Sequence, residues 1–291
     1  MSINLENVCY TYLPGTPYRR EALRDINLTI EPGEFIGIIG HTGSGKSTLI
    51  QHLNGLLQPS SGKVTLDGNN LHGKKKDALK LVRQRVGMVF QYPEHQLFEE
   101  TVFEDVAFGP RNLGLDIEEV TARVEAALQC VGLPAGEYAK RSPFRLSGGQ
   151  MRRVAIAGVI ALQPQYLVLD EPSAGLDPRG RDEIYEQIMQ LYDSTGMAVV
   201  LVTHNMEDVA RMAKRLLVMN QNSIEFDGKP VDLFHDTKIN LHDYGVSLPH
   251  VTALLKQLCA RGLDLDDTLL DAGAVSRAIQ IALRQKRGLS C

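Results

Sequence analysis

The sequence predicts an α/β protein with a mostly parallel core sheet covered by helices. Five short runs are apolar nearly throughout, as strands that are buried on both faces of a sheet are. Helical patterns separate these runs, and strands that alternate with helices are typical of parallel sheets. The predicted strands are Phe35–Ile39, Val86–Phe90, Tyr166–Asp170, Ala198–Thr203 and Leu216–Met219.

Two of the intervening helices are indicated by apolar residues that recur every three or four positions. Asp116 and Glu119 form a capping pair at the start of the first helix. Its apolar stripe consists of Ile117, Val120, Val124, Leu128 and Val131. The second helix follows Pro178, and its stripe consists of Ile184, Ile188, Leu191 and Tyr192. We expect both stripes to face the core.

The first 34 residues have a different pattern. Ile3–Val8 and Ile26–Ile30 alternate between apolar and polar residues, and the turn pairs Pro14-Gly15 and Pro32-Gly33 interrupt the chain. Val64–Leu66 has the same character. We therefore predict a small antiparallel sheet in addition to the parallel one.

The alternation of strands and helices stops near residue 230. We expect a main domain over residues 1–230 and a helical appendage over residues 231–291. Two amphipathic stripes indicate its helices: Val251, Leu254, Leu255 and Leu258, and then Val275, Ala278, Ile279 and Ala282. The pattern leaves open whether these helices pack on the main domain or contact a partner subunit.

Composition narrows the range of functions. The net charge of -4 argues against a large sequence-independent surface for nucleic acid. No apolar run reaches the roughly 18 residues of a membrane-spanning helix, and the first residues lack the blocks of a secretory signal. A protein of this kind would serve a membrane from its surface.

The basic run and the cysteines do not indicate a binding site, a metal site or a disulfide framework. The basic run Lys74–Lys76 is interpreted as a solvated loop. The cysteines are far apart and lack a C-x-x-C spacing, which indicates reduced thiols in a cytosolic protein. They are Cys9, Cys130, Cys259 and Cys291.

A phosphate-binding loop follows the first buried strand. Residues 40–47 match G-x-x-x-x-G-K-[ST], in which glycines let backbone N–H groups surround a phosphate chain. The N-terminus of the next helix adds positive charge. We expect Lys46 to reach the β- and γ-phosphates and the Ser47 hydroxyl to bind Mg²⁺. The predicted nucleotide-binding residues are Gly40, Gly43, Ser44, Gly45, Lys46, Ser47 and Thr48.

A second nucleotide motif ends the strand Tyr166–Asp170. Asp170 lies at the carboxyl end of the strand, where it can hold Mg²⁺ through water. Glu171 follows directly and can orient or deprotonate an attacking water, because phosphoryl transfer depends mainly on positioning and charge stabilisation. The two motifs together indicate a nucleoside triphosphatase.

The string Leu146–Gln150 resembles the LSGGQ signature of ATP-binding-cassette (ABC) proteins. Gln91 resembles the Q-loop glutamine of that family, Ser173–Asp177 its D-loop and His204 its switch histidine. The resemblance covers roughly residues 1–230 and implies a P-loop ATPase of ABC architecture, with a helical subdomain at about 92–160. From the residues alone, Ser147 and Gln150 form a capping box that opens a helix over Met151–Ile160.

The resemblance implies roles for individual residues in binding ATP and Mg²⁺. The signature residues Ser147, Gly148, Gly149 and Gln150 would close over ATP that is held by a second subunit, and Asp177 would contact that subunit. His204 would bond the γ-phosphate, and Gln91 would join the catalytic and metal-contacting groups. Tyr12 resembles the aromatic residue that stacks on adenine, although Tyr10 and Tyr18 are near enough to compete for this role.

Residues 91–112 are similar to the ATPases of energy-coupling factor (ECF) transporters, which take up vitamins and metal ions. The strings Pro93–Phe98 and Gly40–Gly43 look like those of the second ATPase of the pair. This resemblance implies three partners at the cytoplasmic face of the membrane: a second ATPase, a transmembrane coupling protein and a substrate-binding membrane protein. In that family, C-terminal helices hold the ATPase pair together.

One hypothesis concerns an acidic rim that receives basic helices of the coupling protein. Its residues would be Glu94, Glu99, Glu100, Glu104 and Asp105, beside an apolar groove of Leu97, Phe98, Val102 and Phe103. The alternative is a solvated helix face, which accounts for most acidic clusters.

Three other functions remain possible at the level of sequence. The chain could belong to an ordinary importer with two identical ATPases, or it could act on nucleic acid or ribosomes. A single cassette without a long heptad run argues against the latter. A degenerate cassette that binds ATP without hydrolysis is the third, but Lys46, Gln91, Asp170, Glu171 and His204 are all present.

Overall fold

The computed structural model describes residues 2–71, 73, 76–235 and 240–286. These fall into two compact units. The first unit comprises Met1–Glu34 and Ser47–Val202, and the second comprises Phe35–Lys46 and Thr203–Cys291. Lys74, Lys75 and Cys291, on which two of the sequence interpretations depend, lie outside the described residues.

Strands and helices alternate along most of the chain. The strands are β1 Ile3–Tyr12, β2 Arg20–Ile30, β3 Phe35–Ile39, β4 Ser61–Leu66, β5 Asn69–Asn70, β6 Val86–Val89, β7 Tyr166–Asp170, β8 Ala198–Val202, β9 Arg215–Asn220 and β10 Ser223–Gly228. The helices are α1 Lys46–Leu53, α2 Lys76–Arg85, α3 Val102–Asn112, α4 Ile117–Cys130, α5 Ala135–Tyr138, α6 Gly148–Ile160, α7 Pro178–Thr195, α8 Met206–Met212, α9 Pro230–His235, α10 His250–Ala260 and α11 Ala272–Lys286.

The first unit contains the predicted antiparallel sheet, with strand order β2-β1-β4-β5. Ile3 pairs with Ile30 on one side and with Leu66 on the other. Ile3 and Leu5 are buried, as the alternating pattern of a half-buried strand requires, and Val8 is buried after a register shift that interrupts the alternation. The strands extend beyond the short predicted segments, but their positions are confirmed.

The same unit holds three parallel strands in the order β6-β7-β8. Val86 pairs with Tyr166, and Asp170 pairs with Val202. All of these strand residues are buried, which explains their continuous apolar sequence. The register places Asp170 at the carboxyl end of β7, where the sequence predicted a metal-binding carboxylate.

Helices α3, α4 and α6 pack together in the first unit. Asp116 caps α4 by accepting a hydrogen bond from the Glu119 N–H, as predicted. Four residues of the predicted α4 stripe, from Val120 to Val131, are buried, but Ile117 is 63% exposed. The prediction is wrong for Ile117, because burial of this face begins only at Val120, one turn further along the helix. The predicted stripe of α7 is buried throughout.

The second unit contains β3, β9 and β10. Ile39 pairs in parallel with Val218, and β10 returns antiparallel to β9. Their core includes residues of α8 and α9, and Leu241, Tyr244, Leu248 and Leu270 of the C-terminal region pack against it. The appendage therefore belongs to the same compact unit as the phosphate-binding loop. The predicted domain boundary at residue 230 stays a prediction.

Helices α10 and α11 bury only part of their predicted apolar stripes. In α10, Thr252 and Leu255 are buried, whereas Leu254 is 45% exposed. In α11, Val275 is buried and Ile281 is 57% exposed. The prediction that Leu254 shares the buried face is wrong, because it lies a quarter-turn away from the buried Leu255. Within the described ranges, no helix combines the length and apolarity needed to span a membrane.

Candidate nucleotide-binding and signature sites

The phosphate-binding loop connects β3 to α1 and depends on glycine geometry. Gly40, Gly43 and Gly45 all have positive φ angles, of 143°, 85° and 104°. A Cβ atom at Gly40 would lie 2.1 Å from the carbonyl oxygen of Met219. Only glycine therefore fits at this position, and the chain can make the tight loop that a phosphate cradle needs.

The side chains of the loop fit an anionic ligand. The Lys46 ammonium donates to the carbonyl oxygens of Gly40 and His41, at 2.8 and 2.9 Å, which holds it against the loop. The Ser44 hydroxyl is buried and has no hydrogen-bond partner among the described residues. A buried hydroxyl without a partner is costly unless a ligand satisfies it. These features suit the phosphates of ATP, and Ser47 and Thr48 follow in the chain as the next residues of α1.

The aromatic residues near the end of β1 form a cluster in the first unit. The Tyr12 hydroxyl lies 3.2 Å from the Thr48 hydroxyl, one residue after Ser47. The Tyr10 ring packs edge-on against Tyr12 and against the buried His52. Burial lowers the pKa of His52, so its ring is neutral at pH 7. Tyr18, the third candidate, is 80% exposed. Tyr10 and Tyr12 thus both contact α1, Tyr10 through the ring of His52 and Tyr12 through a hydrogen bond to Thr48.

Gln91 and Glu171 are 80 positions apart but touch in the structure. The Gln91 side-chain amide donates to a Glu171 carboxylate oxygen at 3.0 Å. The Glu171 N–H donates to the carbonyl oxygen of Val202, and Glu171 has a φ angle of 48°, in the left-handed region. A non-glycine residue there is strained, and such residues cluster at functional sites. The structure thus joins two residues that the sequence could only place separately.

His204 lies in the loop that leads into α8. The residue before it, Thr203, donates to the carbonyl oxygen of Ile38 and accepts from the Asn205 N–H. Asn205 in turn caps α8 by accepting from the N–H groups of Glu207 and Asp208. The His204 side chain is exposed between these two fixed points. Its backbone is held, and its ring is accessible to a ligand.

The signature segment contains the predicted capping box. The Ser147 hydroxyl accepts from the Gln150 N–H at 3.3 Å, and the Gln150 side chain accepts from the Ser147 N–H at 3.0 Å. Helix α6 begins at Gly148 and not at Met151, because the cap is Ser147 itself. Gly148 and Gly149 therefore lie in the first helical turn. A Cβ atom at Gly148 would meet nothing within 4 Å, so the backbone there is open to an approaching group.

A cavity of about 540 Å³ lies beside the signature. The signature residues line one part of it, and Gly175, Leu176 and Asp177 of the D-loop line another. Arg153 and Arg179 also line it, and both bond to Glu183, whose pKa they lower. Asp177 caps α7 by accepting from the Gly180 N–H at 2.8 Å. The carboxylates of Glu94, Asp177 and Glu183 also line the cavity and balance its guanidinium groups, so the feature that suits an anion here is the N-terminus of α6.

The sequence did not predict the role of Arg152. This side chain is 2% exposed and forms a bidentate pair with Glu94, at 3.0 and 2.8 Å. The Glu94 pKa lies below its ordinary value: burial acts to raise it, but the hydrogen bond and charge of Arg152, with a backbone hydrogen bond and the charge of His95, together outweigh burial. An arginine beside the signature was visible in the sequence, but nothing local indicated a partner 58 positions away.

The acidic-rim hypothesis needs correction at three of its five residues. Glu94 is engaged by Arg152, and Glu104 is paired with Arg111. Asp105 accepts hydrogen bonds from the N–H groups of Phe98 and Glu99, and burial raises its pKa. The charge pattern could not show which carboxylates were already bonded within the chain. Within the part of the chain that the structure describes, Glu99 and Glu100 form no ion pair.

The groove proposed beside that rim also differs from the prediction. Leu97 and Val102 are buried and belong to the core. Phe98 and Phe108 are 58% and 48% exposed, and their rings pack edge-to-face at 5.0 Å. The surface at the start of α3 therefore presents two aromatic rings and two carboxylates. We call Phe98, Glu99, Glu100 and Phe108 the aromatic–acidic patch.

Comparisons with known proteins place these sites in a family. Residues 23–174 match the model of the family described as ABC transporter. The chain is 52% identical to the energy-coupling factor transporter ATP-binding protein EcfA2 of Caldanaerobacter subterraneus subsp. tengcongensis, over 99% of each chain. It is 49% identical to the EcfA2 protein of Clostridium perfringens, over 98% of this chain and 99% of that one.

Two solved structures of ATP-binding cassettes also resemble this chain. The chain resembles CbiO1 of Clostridium perfringens, part of the ABC transporter complex CbiONQ, with a TM-score of 0.73 and 35% identity over 87% of this chain and 98% of that chain. It also resembles a dimeric ATP-binding cassette in a post-hydrolysis state with ADP and Pi, with a TM-score of 0.70 and 31% identity over 78% and 98% of the two chains.

These comparisons confirm the predicted P-loop fold of ABC architecture, and they confirm the resemblance to the second ATPase of an ECF pair. They also confirm ATP and Mg²⁺ as the nucleotide and metal of this kind of site. The chain belongs to the ABC transporter family, as an ATP-hydrolysing, ATP-binding subunit of a membrane transporter of the energy-coupling factor type.

Proposed function

We propose that this chain is one of two non-identical ATPases that work at the cytoplasmic face of the membrane and drive the uptake of a vitamin or a metal ion. The transporter type is supported by the 52% identity to an energy-coupling factor ATP-binding protein, and the observation that carries the coupling of a partner to hydrolysis is the hydrogen bond between Gln91 and Glu171. Gln91 begins the segment that leads to the aromatic–acidic patch, and Glu171 is the carboxylate placed to act on water. The bond therefore links a partner-facing surface to the hydrolytic group.

Glu171 is the group that orients the attacking water and takes its proton. Lys46 contacts the β- and γ-phosphates, and His204 contacts the γ-phosphate. Mg²⁺ supplies charge neutralisation when it is bound, and Ser47, Asp170 and Gln91 would hold it directly or through water. Hydrolysis of this kind needs positioned, ordinary acids and bases, and all of these groups are present in the chain.

The signature cavity is the site at which this chain contacts the ATP bound to the second ATPase. The open backbone at Gly148, with Gly149, Ser147 and Gln150, would bond the γ-phosphate there, and Asp177 would contact the second subunit. Loss of that phosphate removes contacts on both sides, so the dimer should loosen after hydrolysis. The resemblance to a dimeric cassette supports this arrangement.

Tyr12 is the residue that stacks on the adenine ring. Its hydroxyl is bonded to Thr48 at the start of α1, and Tyr10 supports its ring. A fixed aromatic ring that is partly exposed provides a flat apolar surface for a base.

The variant Glu171→Gln tests the hydrolytic role. It keeps the size of the side chain and its ability to bond Gln91, but it removes the base. We expect ATP to bind normally and turnover to fall about 100-fold or more, with a dimer that persists in ATP. Turnover by the purified transporter complex and size-exclusion chromatography with ATP measure both effects. Normal turnover would rule out Glu171 as the catalytic base.

The aromatic–acidic patch is the surface for the transmembrane coupling protein, through basic and apolar residues of that partner. Reversing Glu99 and Glu100 to lysine together should detach the coupling protein during purification from membranes, while ATP binding stays intact. The matched control reverses Glu118 and Glu125, two exposed carboxylates of α4. If both double variants retain the membrane partner equally, the patch is not the docking surface.

The second ATPase is held in part by the C-terminal helices, whose exposed apolar residues include Leu254, Ile281 and Leu283. Mass spectrometry of the intact complex extracted from membranes would identify the partners and the transported molecule. A complex with two copies of this chain and no second ATPase would instead indicate an ordinary homodimeric importer.

A further inference from the structure

Arg152 connects three segments of the first unit that are distant in sequence. It lies in the second turn of α6, five residues after Ser147 of the signature. Its guanidinium donates to both oxygens of Glu94, to the carbonyl oxygen of Pro172 at 3.2 Å and to that of Ala174. A planar guanidinium can donate in several directions at once, which a lysine ammonium on a flexible stem cannot reproduce.

Two of these acceptors belong to the turn that positions Glu171. The Ala174 N–H donates to the carbonyl oxygen of Glu171 at 3.1 Å, which closes the turn over residues 171–174. Glu171 has a left-handed φ angle within it. Strained backbone persists only where surrounding contacts hold it. By bonding the carbonyl oxygens of Pro172 and Ala174, Arg152 holds this turn from the side of the signature helix.

The remaining acceptor, Glu94, lies three residues after Gln91 in a short 3₁₀ turn. The residue before that turn, Tyr92, also has a left-handed φ angle, of 56°. Residues 91–94 are therefore tied to residues 171–174 at two points: directly through Gln91 and Glu171, and indirectly through Glu94 and Arg152. The result is a closed ring of chain segments and hydrogen bonds, which we call the Arg152 ring. Its members are Gln91, Glu94, Arg152, Glu171, Pro172 and Ala174.

We propose that Arg152 is a positioning residue for ATP hydrolysis, which fixes Glu171 and transmits movement of the partner-facing segment to it. This inference rests on the proposed role of Glu171 as the catalytic base. Arg152 lies on the helix that begins at the signature, so the ring joins the signature, the segment that leads to the aromatic–acidic patch and the catalytic turn. Displacement of Glu94 would move the guanidinium and, with it, the carbonyl groups on either side of Ser173.

A buried ion pair does not by itself indicate a role, because the cost of desolvating the two charges offsets their attraction. Two features of this one argue for positioning. The pair is nearly enclosed, with Arg152 2% and Glu94 15% exposed, so its geometry is fixed rather than averaged. The Arg152 guanidinium also donates hydrogen bonds to two carbonyl oxygens of the turn that carries Glu171.

The test is Arg152→Lys in the complete transporter complex. Lysine keeps the charge but cannot bond Glu94 and both carbonyl groups together. Because a misplacement of about 1 Å can lower a rate about 100-fold, we expect kcat to fall about 10- to 100-fold while KM for ATP changes less than about twofold. Glu94→Gln should lower kcat as well, and the double variant should be no slower than Arg152→Lys alone, because both changes open the same ring.

The matched control is Arg85→Lys, which loosens another multiply bonded arginine of the first unit, one that bonds Asp67 and Gln165. We expect its kcat to match the wild type, and thermal unfolding of each variant identifies any that fail to fold. The proposal is overturned if Arg152→Lys keeps the kcat of the wild type. It is also overturned if Arg152→Lys and Arg85→Lys lower kcat equally and each does so in proportion to its loss of thermal stability. If Glu171→Gln hydrolyses ATP normally, the proposed function itself fails, and the role of Arg152 fails with it. The Glu171→Gln variant therefore tests the proposed function, and the Arg152→Lys variant tests the positioning role separately.

Discussion

The phosphate-binding loop and the signature segment each precede or open a helix whose N-terminus we propose to face a phosphate, but they are built differently. The loop is built from its own backbone: three glycines have positive φ angles, and Lys46 bonds the carbonyl groups of the same loop. The signature has ordinary helical backbone, and its surroundings come from distant segments, through Arg152 with Glu94 and through Arg153 with Glu183. A loop whose lysine bonds its own backbone, and whose one close distant neighbour is the backbone carbonyl of Met219, can bind a ligand alone, whereas a site supported by distant side chains can respond to movement elsewhere.

The largest expected effect concerns the loop. Gly40→Ala would place a Cβ atom 2.1 Å from the Met219 carbonyl oxygen at a φ angle of 143°. Overpacking and backbone strain each cost about 1–3 kcal/mol, so we expect the free energy of unfolding to fall by about 4 kcal/mol. ATP binding should be lost with it. Urea unfolding and a fluorescent ATP analogue measure the two effects.

A matched control separates the clash from the backbone angle. Gly68 also has a positive φ angle, but a Cβ atom there would meet nothing within 4 Å. Gly68→Ala should therefore lower stability by only about 1 kcal/mol, from strain alone, and leave ATP binding unchanged. Equal losses for the two variants would show that the contact with Met219 does not shape the loop.

The second-largest effect concerns the ion pair between Glu94 and Arg152, which connects the signature helix to a distant segment. Glu94→Gln leaves the buried Arg152 charge without its counter-charge. Removing a partner of a buried pair costs about 3–5 kcal/mol, but glutamine can still accept a hydrogen bond, so we expect a loss of about 2–3 kcal/mol. This loss should be measured by denaturant unfolding at pH 7, where Glu94 is fully charged.

The same pair predicts a pH dependence. Burial alone would raise the Glu94 pKa, but the hydrogen bond and charge of Arg152, together with a backbone hydrogen bond and the charge of His95, make it lower in the folded state than in the unfolded chain. Its stabilisation is therefore complete above the unfolded pKa, about 4.3, and is lost as the pH falls through the lower folded value. The stability difference between wild type and Glu94→Gln should be constant from pH 6 to 8 and should narrow below about pH 4. A difference that grows in acid would contradict this assignment.

The comparison also explains what the sequence could and could not predict. The strands, the α7 stripe, the capping box of Ser147 and Gln150 and the glycine loop depend on residues within a few positions of one another. Their physics is local, so periodicity and spacing predict them.

The distant contacts could not be predicted. Gln91 bonds Glu171 across 80 positions, and Arg152 bonds Glu94 across 58. The acidic rim was misassigned for the same reason: charge spacing does not reveal that Glu104 is bonded to Arg111 or that Asp105 is bonded to backbone N–H groups. The exposure of Ile117 and Leu254 likewise depends on which part of each helix surface the rest of the protein covers, which a stripe does not record.

The smallest effect on stability, and the sharpest test of the comparison, is Gly148→Ala. Gly148 has neither a positive φ angle nor a neighbour that a Cβ atom would meet, so alanine fits without strain. Since alanine is a better helix former, we expect stability to stay the same or to rise by up to about 1 kcal/mol. ATP binding by this chain should also be unchanged, because its own loop is intact.

If a phosphate on the second ATPase approaches the Gly148 backbone closely, however, the added methyl group of Gly148→Ala would obstruct it. Turnover of the complex should then fall about 10-fold, as for loss of a modest positioning contact. Stability, ATP binding by the isolated chain and turnover by the complex must therefore be measured on the same variant. Loss of turnover alone would show that this glycine serves access by a ligand, in contrast to Gly40, which serves the fold of its loop; unchanged turnover would mean that no phosphate comes near it.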